Sequence, residues 1–222
     1  MAARAKFPYL LFLHEDVSFE TQNWGQILVS GFEQRPAAVL AGVAGAGYKA
    51  ATYSGWFTGV AGLDCFNILH QDGNQVEQLR STGAKARHWF RSVTIDGVFM
   101  FCKQSLWQQL PFNETAVRGF HFYDLDFSLA AITAGEVYVV PDVDIIHYTK
   151  GGDYGERWVQ EAFRFHERWT NRLPISCVAT GRGVEQQVAA MWLDRLKNQP
   201  IHFATRLKWI GVQQLYRQPG LW

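Results

Sequence analysis

Apolar residues fall in short, dense runs separated by polar and glycine-rich stretches. Residues 7–13 (FPYLLFL) run without alternation, the pattern of a strand covered on both faces. Residues 37–43 (AAVLAGV) predict a second buried strand. Between them Trp24, Ile27, Leu28, Gly31 and Phe32 share one helical face; Thr21 is the predicted cap, and the helix ends near Gln34, before Arg35 and Pro36. Residues 63–102 read as strand-rich, and 103–109 as a short helix. A further helix is expected over 120–134 with Gly135 at its C-cap, then short strands at 137–140 and 144–147 on either side of Pro141. Trp158, Ala162, Phe165 and Trp169 recur at helical spacing, predicting an amphipathic helix over 154–169. A helix over 184–197 follows, and the aromatic, basic segment 201–222 is read as one more short helix. Residues 2–6 read as the end of a helix. Strands alternating with helices make this an α/β protein, a mixed sheet flanked by helices, with a core over 1–175 and a helical extension over 176–222.

Composition changes that picture little. Hydrophobic residues are 48% and charged residues 18% of the 222, enough for a sizeable core. Net charge is +1, without a basic stripe, so nucleic acid is not an expected partner. Cys65, Cys102 and Cys177 are scattered and odd in number, which suits a reducing, cytoplasmic setting rather than a disulfide scaffold. No apolar run reaches the ~18 residues that suit a membrane span. The glycine-rich stretch 41–62 lacks GxGxxG between strand and helix, so its glycines are read as permitting tight turns or close approach to a ligand or another backbone segment. Nine Trp are mostly core, with one or two left to line a site.

Three predicted strand ends carry polar groups out of character with what precedes them: His14-Glu15-Asp16, Asp96-Gly97 and His147. Asp124 and Asp126 open the helix predicted over 120–134. Singly, each has a structural role that suffices: a turn at Asp96-Gly97, a helix dipole for the two aspartates, a hydrogen-bonded histidine at a strand terminus. Together they are the donors a divalent cation accepts, Mn²⁺ or Mg²⁺, beside a further carboxylate able to take a proton. A cation at a strand end can hold a diphosphate leaving group. A metal-dependent hydrolase would want His at HxH or HxxxH spacing, which is absent from the chain.

The ordered set FLHED, NWGQ, VLAGVAG, DGVFMF, PFNE, GFHFYDLDFSLAA and IIHYTKGG, spanning about residues 7–174, resembles the glycosyltransferases of the GT-A fold, in particular the family-2-like group named after the streptomycin-biosynthesis protein StrF. The resemblance implies transfer of a sugar, with inversion, from a nucleotide-diphosphate donor to a glycan or other hydroxyl acceptor. It implies Asp16 as metal ligand with His14 and His147, Asp124 as general base, and Asp126 as a supporting residue. Asp96 and Gly97 would line the donor-sugar and acceptor side, and His121 and Trp56 would contact the acceptor. It also implies that about 70 residues of nucleotide-binding sheet should precede the first strand. Without them that strand would be an open edge, driving self-association or requiring cover from residues 176–222; those residues could instead face an acceptor or a membrane surface. A non-catalytic glycan-binding module of the same ancestry is the competing expectation.

Overall fold

The computed structural model describes residues 2–73, 75–81, 88–149 and 154–218. The last part of IIHYTKGG, at 150–152, lies outside them, as do 74, 82–87 and 219–222. After one 3₁₀ turn (Ala2–Arg4) come β1 (Tyr9–Leu13), β2 (Val17–Phe19), α1 (Trp24–Glu33), β3 (Ala38–Gly42), β4 (Ala44–Ala46) and β5 (Tyr48–Lys49). Then follow β6 (Asp64–Asp72), β7 (Gln75–Arg80), β8 (Phe90–Ser92), β9 (Thr94–Ile95), β10 (Phe99–Lys103), α2 (Gln104–Gln109) and α3 (Tyr123–Ala131). The chain continues through β11 (Glu136–Val139), β12 (Ile145–His147), α4 (Glu156–Trp169), β13 (Ile175–Ser176), α5 (Val184–Leu196) and α6 (Phe203–Arg217).

One sheet has the order β1-β10-β3-β11-β8, with only β3 and β11 parallel. A second runs β2-β12-β6-β4-β9, with β7 paired to β6; β12 and β6 are its parallel pair. Strands β3 and β4 are nearly continuous, so the chain passes from one sheet into the other at Val43, which is fully buried. Every residue of β3 is buried, as its uninterrupted apolar run predicts.

Three expectations are corrected. Strand β1 is covered on both faces only in part: Leu10 and Phe12 pack on one core and Tyr9 and Leu11 on another, but Leu13 at its end is 37% exposed and Phe7 ahead of it is exposed too. Thr21 does not cap α1. Its hydroxyl accepts from the Asp144 N–H (2.7 Å), and Asn23, in the left-handed region at φ 55, precedes the helix instead. Gly135 is not a C-cap, since α3 ends at Ala131. Its missing side chain lets β11 start against β3: a Cβ there would stand 2.5 Å from the Ala37 carbonyl oxygen.

The described part of the C-terminal extension, residues 176–218, does not join the cores on which β1 packs. It packs against α4 and the glycine-rich loop, where Val184, Val188, Trp192, Leu196 and Trp209 share a core with Trp158, Phe163 and Phe165. Trp192 stacks on Trp158 with centroids 4.9 Å apart and planes 10° from parallel. Residue Glu185 ties α5 to the loop. Its carboxylate accepts from the Tyr48 hydroxyl (2.5 Å) and from the Ala51 and Thr52 N–H groups (both 2.8 Å). Glu185→Ala would strand three buried donors, so its unfolding free energy, read by urea titration, should drop by on the order of 3 kcal/mol; an unchanged midpoint would mean α5 is not anchored this way.

Helix α6 turns Trp209 and Gln213 inward and leaves Phe203, Leu207 and Leu215 exposed. Among the described residues no helix is long and apolar enough to cross a membrane. The three cysteines are unpaired.

Candidate metal centre and catalytic cleft

A cleft of about 1160 Å³ opens where β1, β10, β12 and α3 meet the glycine-rich loop and α5. Its metal-ligating corner follows from strand pairing. The β1–β10 register extends one step beyond Leu13, with the His14 N–H donating to the Val98 carbonyl (3.2 Å). Three residues beyond His14, β2 begins and pairs with β12, setting Val17 opposite His147, and the Tyr148 N–H donates to the Asp16 carbonyl (2.9 Å). Two strand ends distant in sequence thereby bring His14, Asp16 and His147 together. Asp16 Oδ1 lies 3.4 Å from His147 Nε2 and 3.9 Å from His14 Nδ1. One ligand atom from each residue falls within 4.8 Å of the others, a spacing one cation can span. His147 is buried, and burial is the main cause of its proton affinity falling below the usual imidazole value; His70 and His14 press the same way, Asp16 the other. A neutral imidazole is the form that ligates. His70 lies beside it, ring centroids 5.3 Å apart and planes tilted by 56°, and bonds through Nδ1 to the Thr149 carbonyl oxygen (2.7 Å).

The second corner is the start of α3. Phe122 precedes it with φ 66, a left-handed conformation that costs a residue with a side chain on the order of 1–2 kcal/mol. Phe122 is held there by burial against Trp158 and Phe165, at 5.1 and 5.2 Å. The turn it makes brings Asp124 to the Asp96-Gly97 loop. Asp124 accepts from the Gly97 N–H (3.0 Å) and the Leu125 N–H (2.9 Å). Burial, then the nearby charge of Asp96, raises its carboxyl to about 7, against the pull of those two N–H groups. Asp96 accepts from the Val98 N–H (2.8 Å) and from the indole N–H of Trp56. The Tyr123 hydroxyl bridges the corners, donating to the Gly97 carbonyl (3.2 Å) and standing 3.4 Å from His14 Nε2.

Gly97 has no room for a side chain: a Cβ would lie 2.2 Å from the Tyr123 hydroxyl. We expect Gly97→Ala to displace Tyr123 and cost roughly 1–3 kcal/mol of stability, read by denaturant titration; wild-type stability would mean the loop yields freely.

Of the residues singled out from sequence, His14, Asp16, Trp56, Asp96, Gly97, His121, Asp124 and His147 all line this one cleft. Asp126 does not. It is buried behind α3, paired with Arg168 of α4 and accepting from the Trp169 indole (2.8 Å). Two residues apart on a helix point to nearly opposite sides, so Asp124 and Asp126 could not both face the cleft. Sequence reasoning missed Tyr154, Trp158, Trp192 and Arg195, which also line it. Nothing local marks them, because α5 arrives by long-range packing.

A sequence model described as a glycosyltransferase-like family matches residues 1–160. The chain belongs to that family. No curated protein matches it. Among solved structures, the glycosyltransferase-like chain is similar to GalNAc-T7, crystallised with UDP, GalNAc and Mn²⁺, at a TM-score of 0.51 and 12% identity. The similarity covers 97% of this chain and 39% of that one, so the fold is that of the GT-A glycosyltransferases, while this chain spans well under half of the GalNAc-T7 length. Helices α5 and α6 lie beyond the residues the family matches, yet α5 walls the cleft.

Proposed function

We propose that this chain is a metal-dependent glycosyltransferase that moves a sugar from a nucleoside-diphosphate donor to a hydroxyl acceptor with inversion at the anomeric carbon. The observation that carries the reading is the convergence of His14, Asp16 and His147 in the same cleft as Asp124, a carboxyl whose proton affinity is raised to about 7. Two imidazole nitrogens and one carboxylate oxygen can hold a divalent first-row cation, and Mn²⁺ is the one favoured here because the GalNAc-T7 structure carries that ion with UDP. A cation bound there would supply positive charge for the leaving diphosphate.

The rest of the work falls to the chain's own groups. Asp16 and His147 stay fixed by the β2–β12 pairing, so the ligand set is formed before anything binds. Asp124 takes the proton from the attacking hydroxyl; its two N–H donors orient the carboxylate, and burial with the Asp96 charge gives it the basicity for the task. Asp96 and Trp56 hold the loop that carries Gly97. Inversion asks for one carboxylate as base and no covalent intermediate, and Asp124 fills that part.

Calorimetry with UDP and other nucleoside diphosphates, with and without Mn²⁺, tests the reading. Diphosphate binding that requires the metal is expected. Absence of binding under both conditions would favour a glycan-binding module, and a product with retained anomeric configuration by NMR would remove Asp124 from the role of base in a direct displacement.

A further inference from the structure

Among the described residues lining the cleft, Arg195 of α5 supplies the arginine or lysine charge; the other charged groups there are the acids Glu15, Asp16, Asp96 and Asp124. Among the described residues no carboxylate lies within ion-pair distance of Arg195, and its Nη1 donates to the Tyr154 hydroxyl (2.9 Å). Three rings position the guanidinium instead: Phe57, Trp192 and Tyr154, with centroids 5.1, 5.3 and 5.4 Å away. Those rings sit on the glycine-rich loop, on α5 and just ahead of α4, and Trp192 is fully buried and stacked on Trp158. The cation is therefore placed by aromatic packing and half-buried, and among the described residues its hydrogen-bond partner is the Tyr154 hydroxyl.

A guanidinium built into a cleft in this way is arranged to meet an anion. Its planar fork matches the two oxygens of a carboxylate or phosphate. The donor's diphosphate already has a counter-charge in the cation that His14, Asp16 and His147 would hold, on different strands. We propose that Arg195 recognises an anionic substituent, carboxylate or phosphate, on the acceptor sugar, and so sets acceptor specificity. The inference rests on the glycosyltransferase reading above. Aromatic side chains beside the cation suit a sugar ring that carries the charged group, since rings offer apolar faces to its C–H surface.

The test uses saturation-transfer NMR and calorimetry on the full chain with Mn²⁺ and UDP present. Probes are neutral monosaccharides (glucose, galactose and their N-acetylamino forms) against the matching 6-phosphates and uronates. At least one anionic probe should bind about 10- to 100-fold more tightly than its neutral parent, the worth of a charge-assisted bidentate contact. Arg195→Met should erase that preference, and Arg195→Lys should retain part of it, while Mn²⁺-dependent UDP affinity stays as in the wild type. Equal binding of neutral and anionic sugars with UDP binding intact overturns this inference alone. Loss of UDP affinity in Arg195→Met, with the sugar preference kept, reassigns Arg195 to the donor diphosphate and also overturns it. If wild type fails to bind UDP with Mn²⁺, the underlying reading falls, and this one with it. Far-ultraviolet dichroism and the urea midpoint of both variants report whether α5 remains docked; should Arg195→Met unfold, Arg195→Lys and its weakened preference decide the matter.

Discussion

Asp124→Asn lowers turnover by about 10²–10⁴-fold and leaves Mn²⁺-dependent UDP affinity little changed, the loss expected when a positioned base is removed. The asparagine amide keeps the volume and can still accept from the Gly97 or Leu125 N–H, so the geometry of the loop is retained. What goes is the lone pair that takes the proton. In the wild type the carboxyl must be ionised to act, and its proton affinity is raised to about 7, so kcat/KM should climb about tenfold per pH unit up to that value and then level. That ascending limb should vanish from the residual activity of Asp124→Asn. Stability moves oppositely. The folded carboxyl binds its proton more tightly than the unfolded one, so its contribution is fully present below about pH 4 and is lost as pH rises through about 7. Relative to wild type, Asp124→Asn should therefore gain stability between those limits, measured by urea titration at pH 4 and pH 8. A collapse of UDP affinity, or a pH profile identical to wild type, would end the assignment of Asp124 as base.

Asp16→Ala should weaken Mn²⁺ binding by more than about 100-fold, beyond the 10- to 100-fold typical when only an outer hydrogen-bonding partner is lost. Asp16 Oδ1 is the oxygen that both histidines approach, at 3.4 and 3.9 Å, so its removal leaves two imidazoles without the anionic donor between them. Its backbone carbonyl still receives the Tyr148 N–H, which keeps the β2–β12 junction closed and separates loss of metal from loss of fold. Titration of Mn²⁺ by calorimetry or electron paramagnetic resonance reads the effect, and UDP affinity should fall to its metal-free level. Undiminished Mn²⁺ affinity would place the ion elsewhere.

Much of this site was legible in the chain because strands end where apolar runs stop. The abrupt polar groups after residues 7–13 and 144–146 marked His14, Asp16 and His147, and strand pairing then brought them within reach of one another. Asp124 was legible as an acid at a helix start. Asp126 misled because the first turn of a helix favours acids for its dipole alike whether they face a cleft or a buried arginine. Residues 7–13 are less buried than the run implies because Phe7 and Leu13, at its two ends, stay exposed where β1 forms the edge of its sheet. The tail read as an extension. Its role in the core rests on Glu185 reaching residues more than 130 positions away and on Trp192 reaching Trp158, contacts for which no local pattern exists.

The face-to-face indoles of Trp158 and Trp192 give the protein an intrinsic optical gauge. Rings stacked this closely couple electronically, so their joint absorption should contribute a signed couplet to the circular dichroism that neither tryptophan gives alone. Its decay on warming or in denaturant would time the parting of α5 from α4, without any dye or label, and show whether the wall of the cleft opens before its strands come apart.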